Sequence, residues 1–299
     1  MREELLDFLK KHDVKYKEKI KLSTISPIRI GGESDIVAYP SSEEKLVKLS
    51  ILLQKNKIKH KIAGRMSNLL PPDDNYDGII VRTDLLCQSK IEGNILTAAA
   101  GLSIRRCAYL LSDLGLSGFE GLSGIPGSIG GALVGNAGAF GYEISDRLSS
   151  VRVLDLHTGK IVSLSSNECG FGYRKSGLSS VDYVILSSEF SLSYSCKEDV
   201  FSKMEGYRMA RIKTQPSEPS LGSTFKRPSE NIYASRLIDE CGLKGYRTGG
   251  AEISKKHAGF IINCGGASAK DYIELAKFAQ KCVYEKYKIS LSPEVEILR

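Results

Sequence analysis

No apolar run in this 299-residue chain approaches the length of a membrane span. None of the seven cysteines (Cys87, Cys107, Cys169, Cys196, Cys241, Cys264, Cys282) sits in a C-x-x-C pair, and their odd number and wide spacing argue against a disulfide framework or a zinc site. Cys107, Cys241 and Cys282 fall in apolar helical patterns, so most of the seven are expected to be small buried hydrophobes. The four histidines (His12, His60, His157, His257) form no pair at ligand spacing, and no metal is expected. Repeats and a low-complexity tail are also missing. A dense basic arm is lacking too: the lysines behind the formal charge of +7 are scattered. That balance suits an anionic small molecule at least as well as nucleic acid, and no nucleic-acid partner is expected. The N-terminal stretch carries charges inside its apolar part, unlike a secretory signal, which predicts a cytoplasmic protein with no membrane association. A monomer is favoured.

With 41% hydrophobic residues, the chain can bury two or three packed units. Its densest feature is residues 121–141, GLSGIPGSIGGALVGNAGAFG, with eight glycines and no charge. A solvated linker would be polar. A regular helix or strand would lose stability at each glycine, so a buried, irregular main chain is expected. Glycines leave amide N–H groups free to face a ligand, and an anion such as the phosphate of a cofactor suits that surface. A tight structural crossover under the core is the other reading of the same glycines.

Taken in order, residues 2–12 read as an amphipathic helix. Ile28 and Ile30 alternate around Arg29 as a strand, Gly31-Gly32 turns, and 35–39 resumes as a strand. Ser41 with Glu44 forms a capping box for a helix ending near Lys57. Strands at 60–63 and 78–82 flank the loop GRMSNLL, 64–70, making a βαβ-like unit whose loop is a ligand position in an open α/β sheet. A strand at 95–100 leads to a helix capped by Ser103 and stopped by Gly115. Residues 151–156 and 160–164 pair as a hairpin, and CGFGYRKS, 169–176, is a polar loop centred on Arg174. A strand follows at 183–193, then a helix at 197–213 with Arg208 and Arg211 on one face. The three prolines of 214–228 mark a link to a separate unit. That unit has a helix at 232–241, strands near 248–253 and 259–263, a helix capped by Ser268 and Asp271, and a last strand at 294–298.

Four of these stretches together carry a resemblance: RIGG at 29–32, the GRMSNLL loop, the glycine stretch, and GSTFKRP at 222–228. FGYRKS, KHAGFIIN at 256–263 and LSPEVEIL at 291–298 extend it over essentially the whole chain. The sequence is similar to the UDP-N-acetylenolpyruvoylglucosamine reductases, flavoenzymes of peptidoglycan precursor synthesis. That resemblance implies an α+β protein with a two-subdomain FAD-binding fold of the vanillyl-alcohol-oxidase type and a C-terminal α+β substrate-binding domain. The implied boundaries are 1–83, 84–213 and 214–299. It further implies FAD and NADPH as cofactors and a UDP-sugar enolpyruvyl ether as substrate.

By the same resemblance, FAD is contacted by Gly64, Arg65, Met66, Ser67 and Asn68, and by Gly121, Ser123, Gly124, Ile125, Gly127, Ser128, Gly131, Ala132, Gly135, Asn136, Gly138 and Ala139. The proton donor is Ser223. Arg174 and Glu294 form its activating pair, and Arg227, Lys213 and Tyr173 meet the substrate. The acid must serve an enolate-like charge, so Glu294 is expected to carry or share a proton. Taken singly, Ser223 reads more readily as a loop hydroxyl capping the backbone, the commoner fate of serine beside glycine. His257 reads as structural, and Tyr142 as a wall residue. The chain departs from the family in Arg65 and Met66, in Pro71-Pro72 followed by Asp73 and Asp74, and in Pro27. The span from 174 to 223 is too short for the tyrosine-bearing capping loop of one class, which places the chain in the class without it. Another flavoenzyme on the same fold, such as an alcohol or sugar oxidase, is the alternative.

Overall fold

A computed structural model of the protein describes residues 2–179 and 182–299. Its α-helices are α1 (Arg2–Lys11), α2 (Glu43–Lys55), α3 (Ile104–Asp113), α4 (Ile129–Val134), α5 (Lys197–Thr214), α6 (Ala234–Glu240) and α7 (Ala269–Tyr287). The chain forms two compact units, neither a continuous stretch. One contains Met1–Glu18, Ile36–Arg65 and Gly78–Ala210; the other contains Lys19–Asp35, Met66–Asp77 and Arg211–Arg299. Two short N-terminal segments thus fold with the C-terminal part, which no boundary read along the chain could express.

Two sheets are built mainly from residues of the first unit. Strands Lys15–Lys21, Glu33–Tyr39, Tyr76–Arg82 and His60–Ala63 neighbour one another in that order, and His60–Ala63 runs parallel to Tyr76–Arg82 with Ala63 opposite Arg82. An antiparallel five-stranded sheet follows the order Lys160–Ser165, Leu148–Asp155, Tyr183–Ser191, Ile95–Ala99, Ser89–Glu92. Its core combines Leu96, Ile104, Leu111, Phe119, Ile129, Val151 and Phe190, all fully buried, with Phe119 and Phe190 meeting edge to face at 5.1 Å. A separate core lies under α1 and α2, around Leu9, Leu46, Leu49, Leu53 and Val81.

The second unit is built on an antiparallel sheet in the order Ser220–Ser223, Phe260–Asn263, Ala251–Ile253, Arg247–Thr248. α7 packs on it with Tyr272, Leu275, Ala279 and Val283 buried, and α6 packs beside α7. The Ser268–Asp271 capping box forms as expected. Leu69–Leu70 and Glu296–Ile297 make a short parallel pair. Ile28, Ile30 and Leu70 join this core.

Several expectations give way. Ser42, not Ser41, caps α2, its hydroxyl accepting from the Lys45 amide at 3.2 Å, while Glu44 pairs with Lys48. Residues 28–30 are not a strand: Arg29 takes a left-handed φ of +59°, and Gly31 a φ of +132° that brings Pro71 Cβ and Leu22 Cβ within 2.7 and 2.9 Å of where its own Cβ would be. Lys15–Lys21 is a strand that its charges concealed, since only Tyr16 and Ile20 are half-buried. Of the cysteines, Cys107 and Cys169 are buried, Cys241 and Cys282 are half-buried, and Cys87, Cys196 and Cys264 are exposed. The proline-bearing stretch is not only a link, because Ser220–Ser223 is a strand of the second sheet.

The glycine stretch also departs from expectation. It contains a 3-10 turn, Glu120–Leu122, and the short helix α4. Helix is possible despite Gly130 and Gly131 because Ser128 caps it and its apolar side chains Ile129 and Leu133 are fully buried.

Candidate active site

In the first unit, the loop leaving strand His60–Ala63 meets the N-terminus of α4. A Cβ added to Gly64 would overlap Ser128 Oγ and sit 3.1 Å from Ser128 Cβ, so only glycine lets these two stretches of main chain touch. Gly135 has nothing within 4 Å of where a Cβ would stand. A surface floored by bare main chain is what an extended phosphate-bearing ligand needs, and the residues present fit one. The α4 amides, however, are already engaged: Ile129 N donates to Leu102 O, Gly130 N to Ala100 O, Gly131 N to Ser128 Oγ and Ala132 N to Ser128 O. The amides of Gly131 and Ala132 are both bonded to Ser128. Ser123 likewise turns inward, its hydroxyl donating to Glu120 O at 2.7 Å. Ile125 N donates to Leu122 O, and Gly127 N to Ile125 O.

Asn136, which the resemblance puts on the cofactor, is buried. Its Nδ2 donates to Glu143 Oε2 at 2.7 Å and to Gly172 O at 3.2 Å, and its Oδ1 accepts from Ser145 N. That amide pins the 169–176 loop to the Gly138–Ala139 and Tyr142–Glu143 hairpin. Arg174, with φ +52°, then donates from Nη2 to Gly138 O at 2.9 Å and from Nη1 to Asn136 O at 3.4 Å, while its guanidinium lies 5.3 Å from the exposed Tyr173 ring. The expected residues Asn136, Gly138 and Arg174 do come together, through the carbonyls of the glycine stretch. Ala139 O packs against Gly121, and Tyr142 closes the same spot. Burial, with the nearby Glu120 carboxylate and Tyr207, pushes the Tyr142 hydroxyl up to about 12, so it is a neutral wall.

In the second unit, Ser223 ends strand Ser220–Ser223 opposite Phe260 and is exposed. Its neighbour Thr224 is a buried hub. Thr224 O accepts the Glu294 amide at 2.9 Å, and Thr224 Oγ1 accepts from Tyr272 Oη at 3.1 Å and from Ile261 N at 3.3 Å. Lys226 N donates to Ser292 O. Residues far apart in sequence, Ser223 and Glu294, are thereby laid on adjacent backbones. Asn68 reaches the same place, its Nδ2 donating to Glu294 O at 2.9 Å and its main-chain oxygen accepting from Glu296 N at 3.0 Å. The side-chain amide of Asn68, a residue the resemblance puts on the cofactor, bonds the terminal strand. Met66 is buried and Ser67 half-buried in this unit. Arg227 stacks its guanidinium 5.8 Å from the Tyr233 ring, and Lys213 is exposed in the last turn of α5.

Sequence reasoning missed Asn68, Thr224 and Tyr272 as supports of Glu294, and Asn136 as the support of Arg174. Thr224 was visible as the variable position of GSTFK, but hydrogen-bond direction is not readable from a motif. Burial pushes the Tyr272 hydroxyl up, so it stays a neutral donor to Thr224. Burial lowers the His257 pKa, and its Nδ1 accepts from Gly259 N at 3.1 Å.

Comparison with known proteins adds the following. Residues 215–298 match the family "UDP-N-acetylenolpyruvoylglucosamine reductase, C-terminal domain", and residues 34–165 match an FAD-binding domain family. The chain is 40% identical over 297 residues to the UDP-N-acetylenolpyruvoylglucosamine reductase of Caldanaerobacter subterraneus subsp. tengcongensis, covering 99% of this chain and 97% of that one. It is 41% identical over 296 residues to the enzyme of the same name from Lactobacillus helveticus, covering 99% and 98%. The crystal structure of the Thermus caldophilus enzyme superposes with a TM-score of 0.82 at 31% identity, over 96% of this chain and all of that one. Berberine bridge enzyme from Eschscholzia californica shares the fold of the FAD-binding part, with a TM-score of 0.52 at 15% identity over 64% of this chain and 44% of that one. The expected α+β class, an FAD-binding fold with a C-terminal domain, is thus the observed one.

Proposed function

The chain belongs to the UDP-N-acetylenolpyruvoylglucosamine reductase family, and from its residues we propose how it reduces UDP-N-acetylglucosamine enolpyruvate to UDP-N-acetylmuramate with FAD and NADPH. When bound, FAD reduced by NADPH supplies the hydride for the enolpyruvyl group. The first unit would hold it on the bare main chain around Gly64, Arg65, Ser128 and Gly135. Ser123, Gly131, Ala132 and Asn136 shape that surface from behind.

Ser223 is the proton donor to the carbon α to the substrate carboxylate. Its hydroxyl is exposed on a strand end held by the Phe260 pairing, so the side chain is available while the backbone is fixed. Glu294 acts with a proton on it, because a bare carboxylate would repel the enolate-like charge that hydride arrival creates. Arg174 stabilises the same charge; two glycine-stretch carbonyls orient its guanidinium. Arg227 and Lys213 take the anionic groups of the UDP-sugar, and Tyr173 contacts the substrate. A serine is a weak acid unassisted, and the cations lower the cost of its proton transfer.

The single observation that carries this reading is the Thr224 O to Glu294 N hydrogen bond of 2.9 Å, which puts the residue after Ser223 beside Glu294 in one unit. The test separates the two half-reactions. In anaerobic stopped flow, Ser223→Ala leaves bleaching of the flavin by NADPH unchanged and slows its reoxidation by the enolpyruvyl nucleotide by about 10²-fold or more, the scale of general-acid catalysis. Equal losses in both steps would refute the acid assignment. Reoxidation by air but not by the nucleotide would favour an oxidase.

A further inference from the structure

Glu294 has both of its main-chain polar groups committed, in opposite directions. Its amide donates to Thr224 O at 2.9 Å, and its carbonyl accepts from Asn68 Nδ2 at 2.9 Å. The second bond is unusual in kind. Beyond it, Leu69–Leu70 and Glu296–Ile297 form an ordinary parallel ladder, with Glu296 N on Asn68 O and Leu298 N on Leu70 O. At Glu294 a side-chain amide takes the place of the next ladder rung. Asn68 thus grips the terminal strand on both sides of the buried Val295, accepting with its main chain and donating with its side chain.

The segment that carries Asn68 is itself fastened. Asp73, in the PPDD stretch that departs from the family, accepts from the first amides of α7: Ala269 N to Oδ1 at 2.5 Å and Lys270 N to Oδ2 at 2.9 Å. A carboxylate at a helix N-terminus is favourably placed both for hydrogen bonding and for the helix dipole. Pro72 O accepts from Gly32 N at 2.8 Å. α7 also carries Tyr272, whose hydroxyl holds Thr224. The contacts close into a ring: Asn68 to Glu294, Glu294 to Thr224, Thr224 to Tyr272 on α7, and α7 through Asp73 back to the Asn68 segment.

We propose that Asn68 is a positioning residue for Glu294 in the protonation half of the reaction, fixed through Asp73 to α7, and that its side-chain amide is not a ligand to the cofactor diphosphate. The inference rests on the reading of Glu294 given above. The role needs a donor of asparagine's length. Aspartate at 68 would set a carboxylate oxygen against the Glu294 carbonyl, and alanine would leave that rung open. Asn68 is exposed, so water can replace the lost bond and neither variant threatens the fold.

The test uses the full-length holoenzyme with Asn68→Asp, Asn68→Ala, Glu294→Gln and the Asn68→Ala/Glu294→Gln double variant. FAD content, the rate of bleaching by NADPH and the rate of reoxidation by the enolpyruvyl nucleotide are measured for each. The expected result is unchanged FAD content and bleaching in both Asn68 variants, with reoxidation slowed about tenfold, inside the 10²-fold that a 1 Å misplacement can cost. In the Glu294→Gln background, Asn68→Ala then adds no further slowing. Loss of FAD or slower bleaching would overturn the proposal in favour of a diphosphate ligand. Equal slowing in both backgrounds would overturn it in favour of a role independent of Glu294. If Glu294→Gln is slow while the Asn68 variants match wild type, only the positioning role falls. If Glu294→Gln reoxidises at the wild-type rate, the reading of Glu294 falls with it.

Discussion

The contact between Gly64 and Ser128 can be measured by adding one methyl group. In Gly64→Ala, the new Cβ cannot coexist with Ser128 Oγ and would lie 3.1 Å from Ser128 Cβ. The hydroxyl must rotate away, and it then loses its bond to the Gly131 amide, the N-cap of α4. Losing a serine cap costs about 1 kcal/mol. The remaining carbon–carbon crowding requires a backbone shift in a packed region, about 1–3 kcal/mol more. Gly64→Ala should therefore destabilise by about 2–4 kcal/mol. Replacing Ser128 by glycine removes both clashing atoms and costs only a few tenths of a kcal/mol as a cap. In that background Gly64→Ala should be close to neutral, because residue 64 does not have a left-handed φ. The four proteins of the cycle are compared by urea unfolding, with FAD retention recorded alongside. A coupling of about 2–4 kcal/mol between the two sites, the difference between the two backgrounds, is expected. Additive effects, with Gly64→Ala equally costly beside Ser128 and beside glycine, would refute the idea that this contact is what demands glycine.

Three further outcomes follow from the second unit. Tyr272→Phe should cost about 1 kcal/mol in urea unfolding, since Thr224 Oγ1 keeps its bond from Ile261 N. Thr224→Val should cost more, about 2–4 kcal/mol, because it strands both the Tyr272 hydroxyl and the Ile261 amide; equal costs would contradict the hub. Burial lowers the His257 pKa below 6.5, so the unfolded chain takes up the proton first, and stability falls as pH drops below that value toward the folded one. His257→Asn keeps an acceptor for Gly259 N without titrating. Its urea midpoint relative to wild type should rise between about pH 7.5 and pH 5.5, and a pH-independent difference would rule out this linkage.

The family was legible because its motifs are short and contiguous along the chain. GSTFKRP, FGYRKS and SPEVEIL are contiguous motifs that carry the family resemblance, and local spacing also predicted the caps at Ser103 and Ser268. Local preference failed where packing overrode it. The glycine run looks unable to form a helix, yet α4 forms because Ile129 and Leu133 are fully buried and Ser128 caps the first turn. Lys15–Lys21 looks too charged for a strand, and it is one because a neighbouring strand supplies its ladder.

By itself the sequence determined the class of fold and the family, since these follow from periodicity and from motifs that are contiguous along the chain. Only the tertiary structure decided which backbone holds which reactive group. Hydrogen bonds between residues remote in sequence depend on register and direction, and linear spacing encodes neither. Asn68 and Asn136 show the difference most plainly: both lie in glycine-bearing motifs, and both turn their amides onto main-chain carbonyls, one at Glu294 and one at Gly172 beside Arg174.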